Sequence, residues 1–181
     1  MIKSQIRNKI IKVRNKKFDK NLKIDLDKFI SLLKIKKLNS KNVGGYYPSN
    51  YEIDDLELLV LFKKKNFKVS LPIIKKNNQM NFYNWSRNDL LKINKFGIPE
   101  PLDSKIIYPD ILLVPLVAYD SHLNRLGYGG GYYDRYIEKL EKIKEVIKIG
   151  LAFSFQKISS IPINQYDKRL DFIFTEKEIL K

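Results

Sequence analysis

Arg125-Leu126-Gly127-Tyr128-Gly129-Gly130-Gly131-Tyr132-Tyr133-Asp134-Arg135 crowds four glycines into residues 127–131, immediately ahead of a helical pattern. Without a Cβ, such a backbone turns freely and can come close to a ligand. Tyr133, Tyr136, Ile137, Leu140 and Lys144 then recur at helical spacing. A glycine loop that opens a helix delivers free N–H groups to the positive end of the helix dipole, which outlines an anion site, with phosphate the usual anion. Arg125 adds a forked donor at the entrance, and Asp134 in the first turn is placed to hold Mg²⁺ beside phosphates. A plain turn followed by a dipole-complementing carboxylate would read the same way, and the spacing is neither a Walker sequence nor the usual dinucleotide fingerprint. The surrounding segments have to decide.

Upstream, Ile111-Leu112-Leu113-Val114 is a continuous apolar run that ends at Pro115, as a parallel strand covered on both faces should be. The glycine loop begins ten residues after Pro115, so its helix starts near the carboxyl end of a central strand, where open α/β sheets place their ligands. Downstream, residues 146–153 predict another buried strand, with Gly150 as a close-approach point. Residues 171–175 predict a last one, with Asp167 and Asp171 at its edge. Residues 43–47 predict a short strand stopped by Pro48. Glu52 opens a helix through Ile53, Leu56, Leu59 and Val60, and residues 67–71 form a strand ended by Pro72. That order is a βαβ unit with neighbouring parallel strands. Residues 80–85 are aromatic on both strand faces, so that one set packs the core and the other packs core or lines a pocket. Residues 97–101 read as an irregular loop because of Pro99 and Pro101. At the start, Ile2, Ile6, Ile10 and Val13 share a helical stripe flanked by Lys3, Arg7 and Arg14. A second helix carries Leu22, Leu26, Phe29, Ile30 and Leu33 and ends in Lys36 and Lys37.

At 181 residues, this is one α/β domain spanning 1–181, a mostly parallel central sheet flanked by helices. The absence of cysteine excludes disulfides and thiolate zinc sites, and the single histidine, His122, excludes a multi-histidine metal site. With no eighteen-residue apolar run and no apolar leader, a soluble cytoplasmic protein without membrane contact is expected. The net charge of +15 favours polyanions, which makes a basic RNA- or DNA-binding protein the alternative class. Lysine is, however, used in every segment, including Lys63-Lys64-Lys65, and basic residues do not interleave with aromatics on one face. No specific nucleic acid is therefore expected.

Several separated stretches together resemble one family. They are Lys3-Ser4-Gln5-Ile6-Arg7, Glu52-Ile53-Asp54, residues 96–101, Pro109-Asp110 through Pro115, Arg125 to Arg135, and Asp167 with Asp171. In this order they resemble the 5-formyltetrahydrofolate cyclo-ligase (5,10-methenyltetrahydrofolate synthetase) family over nearly the whole chain. The resemblance implies a three-layer sandwich of the NagB/RpiA/CoA-transferase-like kind, and a monomer is expected. It also implies ATP- and Mg²⁺-dependent closure of 5-formyltetrahydrofolate to 5,10-methenyltetrahydrofolate with release of ADP and phosphate. Such chemistry rests on positioning and charge neutralisation, so it needs no cysteine or histidine nucleophile. By the same resemblance, Lys3, Ser4, Gln5, Ile6 and Arg7 would meet ATP, together with Arg125, Leu126, Gly127, Tyr128, Gly129, Gly130, Gly131, Tyr132 and Tyr133. Arg125 and Asp134 would be catalytic, and Asp134 and Asp171 would hold the metal. Tyr47 and Glu52, with Tyr128 to Tyr132, would meet the folate, and Phe82 and Trp85 are added as apolar walls. The chain departs from the family pattern in three places. Tyr47 stands where an aliphatic residue is frequent, and Asp55 where many members have threonine. Some members carry a basic residue inside the glycine loop where this chain has Tyr128 or Gly130. A nucleotide-binding relative without folate chemistry is the remaining alternative.

Overall fold

The computed structural model describes residues 2–19, 21–22, 24–35, 42–102 and 105–181, with the backbone alone for 26 and 32–35. Among them the helices are α1 (Lys3–Lys17), α2 (Leu26–Ile35), α3 (Leu56–Lys64) and α4 (Tyr132–Glu141). The strands are β1 (Asn42–Gly44), β2 (Lys68–Ile74), β3 (Met80–Asn84), β4 (Leu91–Ile93), β5 (Pro99–Pro101), β6 (Ile106–Ile107), β7 (Ile111–Pro115), β8 (Ala118–Tyr119), β9 (Arg125–Leu126), β10 (Ile147–Leu151), β11 (Phe172–Phe174) and β12 (Ile179–Leu180). The main sheet runs in the order β12-β11-β10-β7-β1-β2-β3-β6. From β11 to β2 every neighbour is parallel, whereas β12, β3 and β6 join antiparallel at the two edges.

Side-chain alternation along β7 sorts the core into layers. Ile111 and Leu113 point to the face covered by Phe29 of α2 and Leu58, Leu59 and Phe62 of α3. Leu112 and Val114 point to the face covered by Tyr136, Ile137 and Leu140 of α4. A run with no polar residue thus reflects burial on both sides, as read from the sequence. A third, smaller cluster packs Ile6 and Ile10 of α1 on Val117, Ala118 and Leu126 of the β8–β9 hairpin.

Gly150 lies where β10 meets both neighbours' side chains. A Cβ there would stand 2.6 Å from Leu170 Cδ1 and 2.8 Å from Leu116 Cδ2. Gly150→Ala is therefore expected to destabilise the protein by about 1–3 kcal/mol through overpacking. An unchanged midpoint in urea unfolding would refute that.

Several boundaries differ from the sequence reading for local reasons. The strand expected over 43–47 ends at Gly44, because the Tyr46 amide leaves the sheet to donate to Asp55 Oδ2 at 3.0 Å. Glu52 does not open a helix. Residues 50 and 51 have positive φ, the Asp54 carboxylate takes the Leu56 amide at 2.8 Å, and α3 starts only at Leu56. Pro72 does not end β2, which continues to Ile74. The β1–β2 pairing stops at Ser70, so Pro72 faces the side that β1 has already left, and its missing N–H costs no ladder bond. Of the loop expected over 97–101, residues 99–101 are a strand: β5 pairs with β4 in a hairpin held by Glu100, which accepts from the Ile74 amide at 3.2 Å. The β8–β9 hairpin and β12 carry too few residues for a periodic signal. Lys36 and Lys37 lie outside the described residues.

Candidate active site

The connections that leave β1 and β7 define the site. Strand β1 continues through α3 to β2 on one side, while β7 continues through the β8–β9 hairpin and α4 to β10 on the other. Two adjacent parallel strands whose chains depart in opposite directions make a switch point, and a crevice opens at their carboxyl ends. Residues 45–55 leave β1 there, and the glycine loop at 127–131 is the second wall.

Helix α1 reaches this loop. The Arg7 Nε donates to the Gly127 carbonyl at 2.8 Å, and its guanidinium lies so close over Gly129 that a Cβ would sit 3.3 Å from Cζ. Gly129 has φ of 100° and Gly131 of 64°, so both hold left-handed conformations that other residues enter at a cost. Lys3 pairs with Asp167, and Ile6 is buried in the third cluster. Ser4 and Gln5 are exposed, and Gln5 Oε1 accepts the Ile2 amide at 3.3 Å. Arg14 departs from the sequence reading, which set it on the solvated basic line with Val13 facing inward. Arg14 is 1% exposed, and Val13 is only half-buried. Its Nη1 donates to the Leu116 carbonyl at 3.2 Å and its Nη2 to the Tyr128 hydroxyl, so it ties the end of β7 to the glycine loop. The 6, 10, 14 spacing held this signal, but charge argued against burial. Gln156 was also missed: its Nε2 donates to the carbonyls of Leu116 and Val117 at 3.0 and 2.8 Å, bracing the same turn.

Arg125 is buried, with its Nη2 2.8 Å from Asp134 Oδ1 and its Nη1 2.6 Å from the Lys168 carbonyl. Burial pushes its guanidinium below the usual value, opposed by the Asp134 charge. Asp134 Oδ1 also accepts the Lys168 amide at 3.1 Å, whereas Oδ2 has no hydrogen bond among the described residues. Asp171 does not join it. The Asp171 carboxylate accepts the Lys148 amide at 2.7 Å, at the start of β10, and lines a cleft of about 790 Å³ with Asp110, Glu141, Lys144 and Arg169. Asp134 is in the first turn of α4 and Glu141 is its last residue, so these places are separated by about 10 Å of helix. The described contacts place Asp134, but not Asp171, beside Arg125, so Asp134 is the metal candidate carried forward from the expected Asp134 and Asp171 pair. No group of three or more His, Cys, Asp or Glu is placed to hold a metal ion among the described residues. A lone carboxylate suits Mg²⁺ that takes its other ligands from phosphates and water.

On the other wall, Glu52 is 7% exposed and its Oε2 accepts from the Ser49 amide at 2.7 Å and the Ser49 hydroxyl at 3.2 Å. Burial raises its carboxyl above the ordinary value, while Ser49, the Tyr128 hydroxyl and the Arg14 charge pull it back. Tyr47 is half-buried against the first core cluster. Tyr133 is half-buried, its buried hydroxyl lacks a hydrogen-bond partner among the described residues, and burial raises it well above the ordinary phenol range. Tyr132 turns outward, with its ring 6.2 Å from that of Phe96 on the β4–β5 hairpin. Leu126 is core. Phe82 and Trp85 are fully or nearly buried in the cores on opposite faces of the sheet, so they are packing residues rather than pocket walls.

An open parallel sheet with a glycine loop, two arginines and a buried carboxylate at its switch point defines an α/β enzyme that works at the carboxyl edge. Residues 1–176 match the model of the 5-formyltetrahydrofolate cyclo-ligase family, and the chain belongs to that family. It is 34% identical over 140 residues to the 5-formyltetrahydrofolate cyclo-ligase of Haemophilus influenzae, covering 74% of each chain. With the Escherichia coli K12 enzyme of the same name it shares 30% over 135 residues, 71% of this chain and 74% of the relative. The solution structure of Aquifex aeolicus 5,10-methenyltetrahydrofolate synthetase superposes with a TM-score of 0.72 at 32% identity, over 99% of this chain and 92% of that one. No helix among the described residues is long and apolar enough to cross a membrane.

Proposed function

We propose that this cyclo-ligase consumes ATP with Mg²⁺ to convert 5-formyltetrahydrofolate to 5,10-methenyltetrahydrofolate, releasing ADP and phosphate, as a cytoplasmic monomer. The formyl oxygen is a poor leaving group. Transfer of the γ-phosphoryl group to it makes a group that N10 of the folate can displace when it attacks the formyl carbon. Glycine-loop amides, Lys3, Arg7 and Arg125 neutralise charge on the phosphates, and Glu52 accepts pterin N–H groups. Asp134 Oδ2 would hold Mg²⁺, which supplies positive charge beside the transferring group.

The observation that carries this reading is the reach of α1. Arg7 sits over bare backbone at Gly129, on the same edge of the sheet as Arg125, Asp134 and buried Glu52. Nucleic-acid binding is disfavoured because Arg14, the innermost of the basic line of α1, is buried and donates to the Leu116 carbonyl and the Tyr128 hydroxyl. The test is to follow the near-ultraviolet absorbance of the methenyl product with 5-formyltetrahydrofolate, ATP and Mg²⁺. Product is expected only with all three present. Equal product without ATP, or none from folded protein, refutes the reading.

A further inference from the structure

Asp55 sits between the end of β1 and the start of α3 and is 1% exposed. As the residue before α3, its side chain would ordinarily cap the helix, but it makes no cap hydrogen bond. It turns inward instead, where Oδ2 accepts the Tyr46 amide at 3.0 Å and packs on Gly45 so closely that a Cβ there would stand 2.6 Å away. Its other oxygen, Oδ1, is buried without a hydrogen-bond partner among the described residues, and so is the Tyr133 hydroxyl on α4. No Lys or Arg forms an ion pair with Asp55 among the described residues.

Glu52, three residues earlier, is also buried but differs in its partners. It accepts two hydrogen bonds from Ser49, and Arg14 of α1 faces it. A buried carboxylate with neither a cation nor a full set of donors neutralises rather than stays charged, and two carboxyls in one pocket do not both ionise cheaply. The cluster therefore has one favoured arrangement of charge.

We propose that Asp55 is a positioning residue that carries a proton in the folded protein, leaving Glu52 as the ionised acceptor that the crevice presents. This rests on the reading of Glu52 as the folate acceptor. The proton on Asp55 removes a like charge from behind Glu52. Meanwhile the Asp55–Tyr46 bond, together with the Tyr46 hydroxyl donating to the Ile53 carbonyl at 2.8 Å, closes the loop that carries Glu52. The groups facing Asp55 agree with this. Burial raises its carboxyl well above the ordinary range, the Tyr46 amide opposes, and Asp54 and Glu52 raise it further. The other titratable groups whose charge it feels are Tyr133 of α4 and Tyr46 of the loop.

The sign of the linkage is definite. An acid raised on folding binds its proton more tightly in the native state, so stability falls as pH climbs from the unfolded value near about 4 towards the folded one. Asp55→Asn copies the protonated acid and has no such loss. The experiment compares wild type and Asp55→Asn by urea unfolding between about pH 4 and pH 8, together with both Michaelis constants at neutral pH. The stability difference is expected to shift in favour of the variant by about tenfold in the folding equilibrium constant per pH unit, with the folate KM within about twofold of wild type. Asp55→Leu, which cannot accept the Tyr46 amide, is expected to raise the folate KM and leave that for ATP unchanged. A pH-independent difference, or a tenfold rise in the folate KM of Asp55→Asn, overturns the proposal. Should Asp55→Asn not fold, carboxyl-¹³C aspartate labelling of the wild type decides. One aspartate protonated at neutral pH supports the proposal, and none overturns it. The reading of Glu52 itself fails separately, if Glu52→Gln binds folate normally.

Discussion

Arg125→Met is expected to cost about 3 kcal/mol of stability and about 100-fold in kcat. The side chain is 4% exposed and holds two partners at once, the Asp134 carboxylate at 2.8 Å and the Lys168 carbonyl at 2.6 Å. Removing it strands a carboxylate and a carbonyl, and the penalty for an unpaired buried charge exceeds the net worth of the pair. Asp134 is 27% exposed and keeps the Lys168 amide, so the loss belongs at the lower end of the usual range. On the proposed reading the kinetic loss has a different origin: without Arg125, Asp134 is no longer aimed and the cation that would neutralise the phosphates is gone. Urea unfolding and the methenyl absorbance assay separate the two effects. A variant with native midpoint and native kcat would remove Arg125 from the site. In a cycle with Asp134→Asn the two losses should be non-additive by about 1–3 kcal/mol, as for residues in one network.

Glu52→Gln is expected to raise the folate KM by about 10- to 100-fold, the equivalent of losing the charge from a hydrogen-bond acceptor. The KM for ATP should stay within a factor of two or so, because Arg7, Gly127 and Gly129 are untouched. Stability should not fall. Burial raises the Glu52 carboxyl, so its ionised form loses stability as pH rises above its ordinary range, and a neutral glutamine escapes that loss. A normal folate KM contradicts the assignment. A fall in both midpoint and affinity would instead mark Glu52 as a structural residue of the 49–52 turn, where it accepts the Ser49 amide.

The sequence by itself determined the parallel block and its glycine loop. Both are written in neighbouring residues: an apolar run at 111–114, a helical repeat from Tyr133, and four glycines within residues 127–131. The βαβ unit was legible for the same reason, and β1 and β2 are indeed parallel neighbours. Element ends were not, since they depend on side chains captured from outside the element. Asp55 draws Tyr46 out of β1, and Asp54 delays α3 until Leu56. Family motifs named Lys3, Arg7, Arg125 and Asp134, but nothing local shows that α1 crosses to the glycine loop. Only the tertiary structure decided that Arg14 is buried beneath Tyr128, that Arg125 pairs with Asp134 while Asp171 accepts the Lys148 amide, and that Asp55 turns inward to hold the loop that carries Glu52. Charge and periodicity are properties of a segment. Whether a charge is solvated, paired or forced to keep a proton is set by residues far along the chain that fold against it.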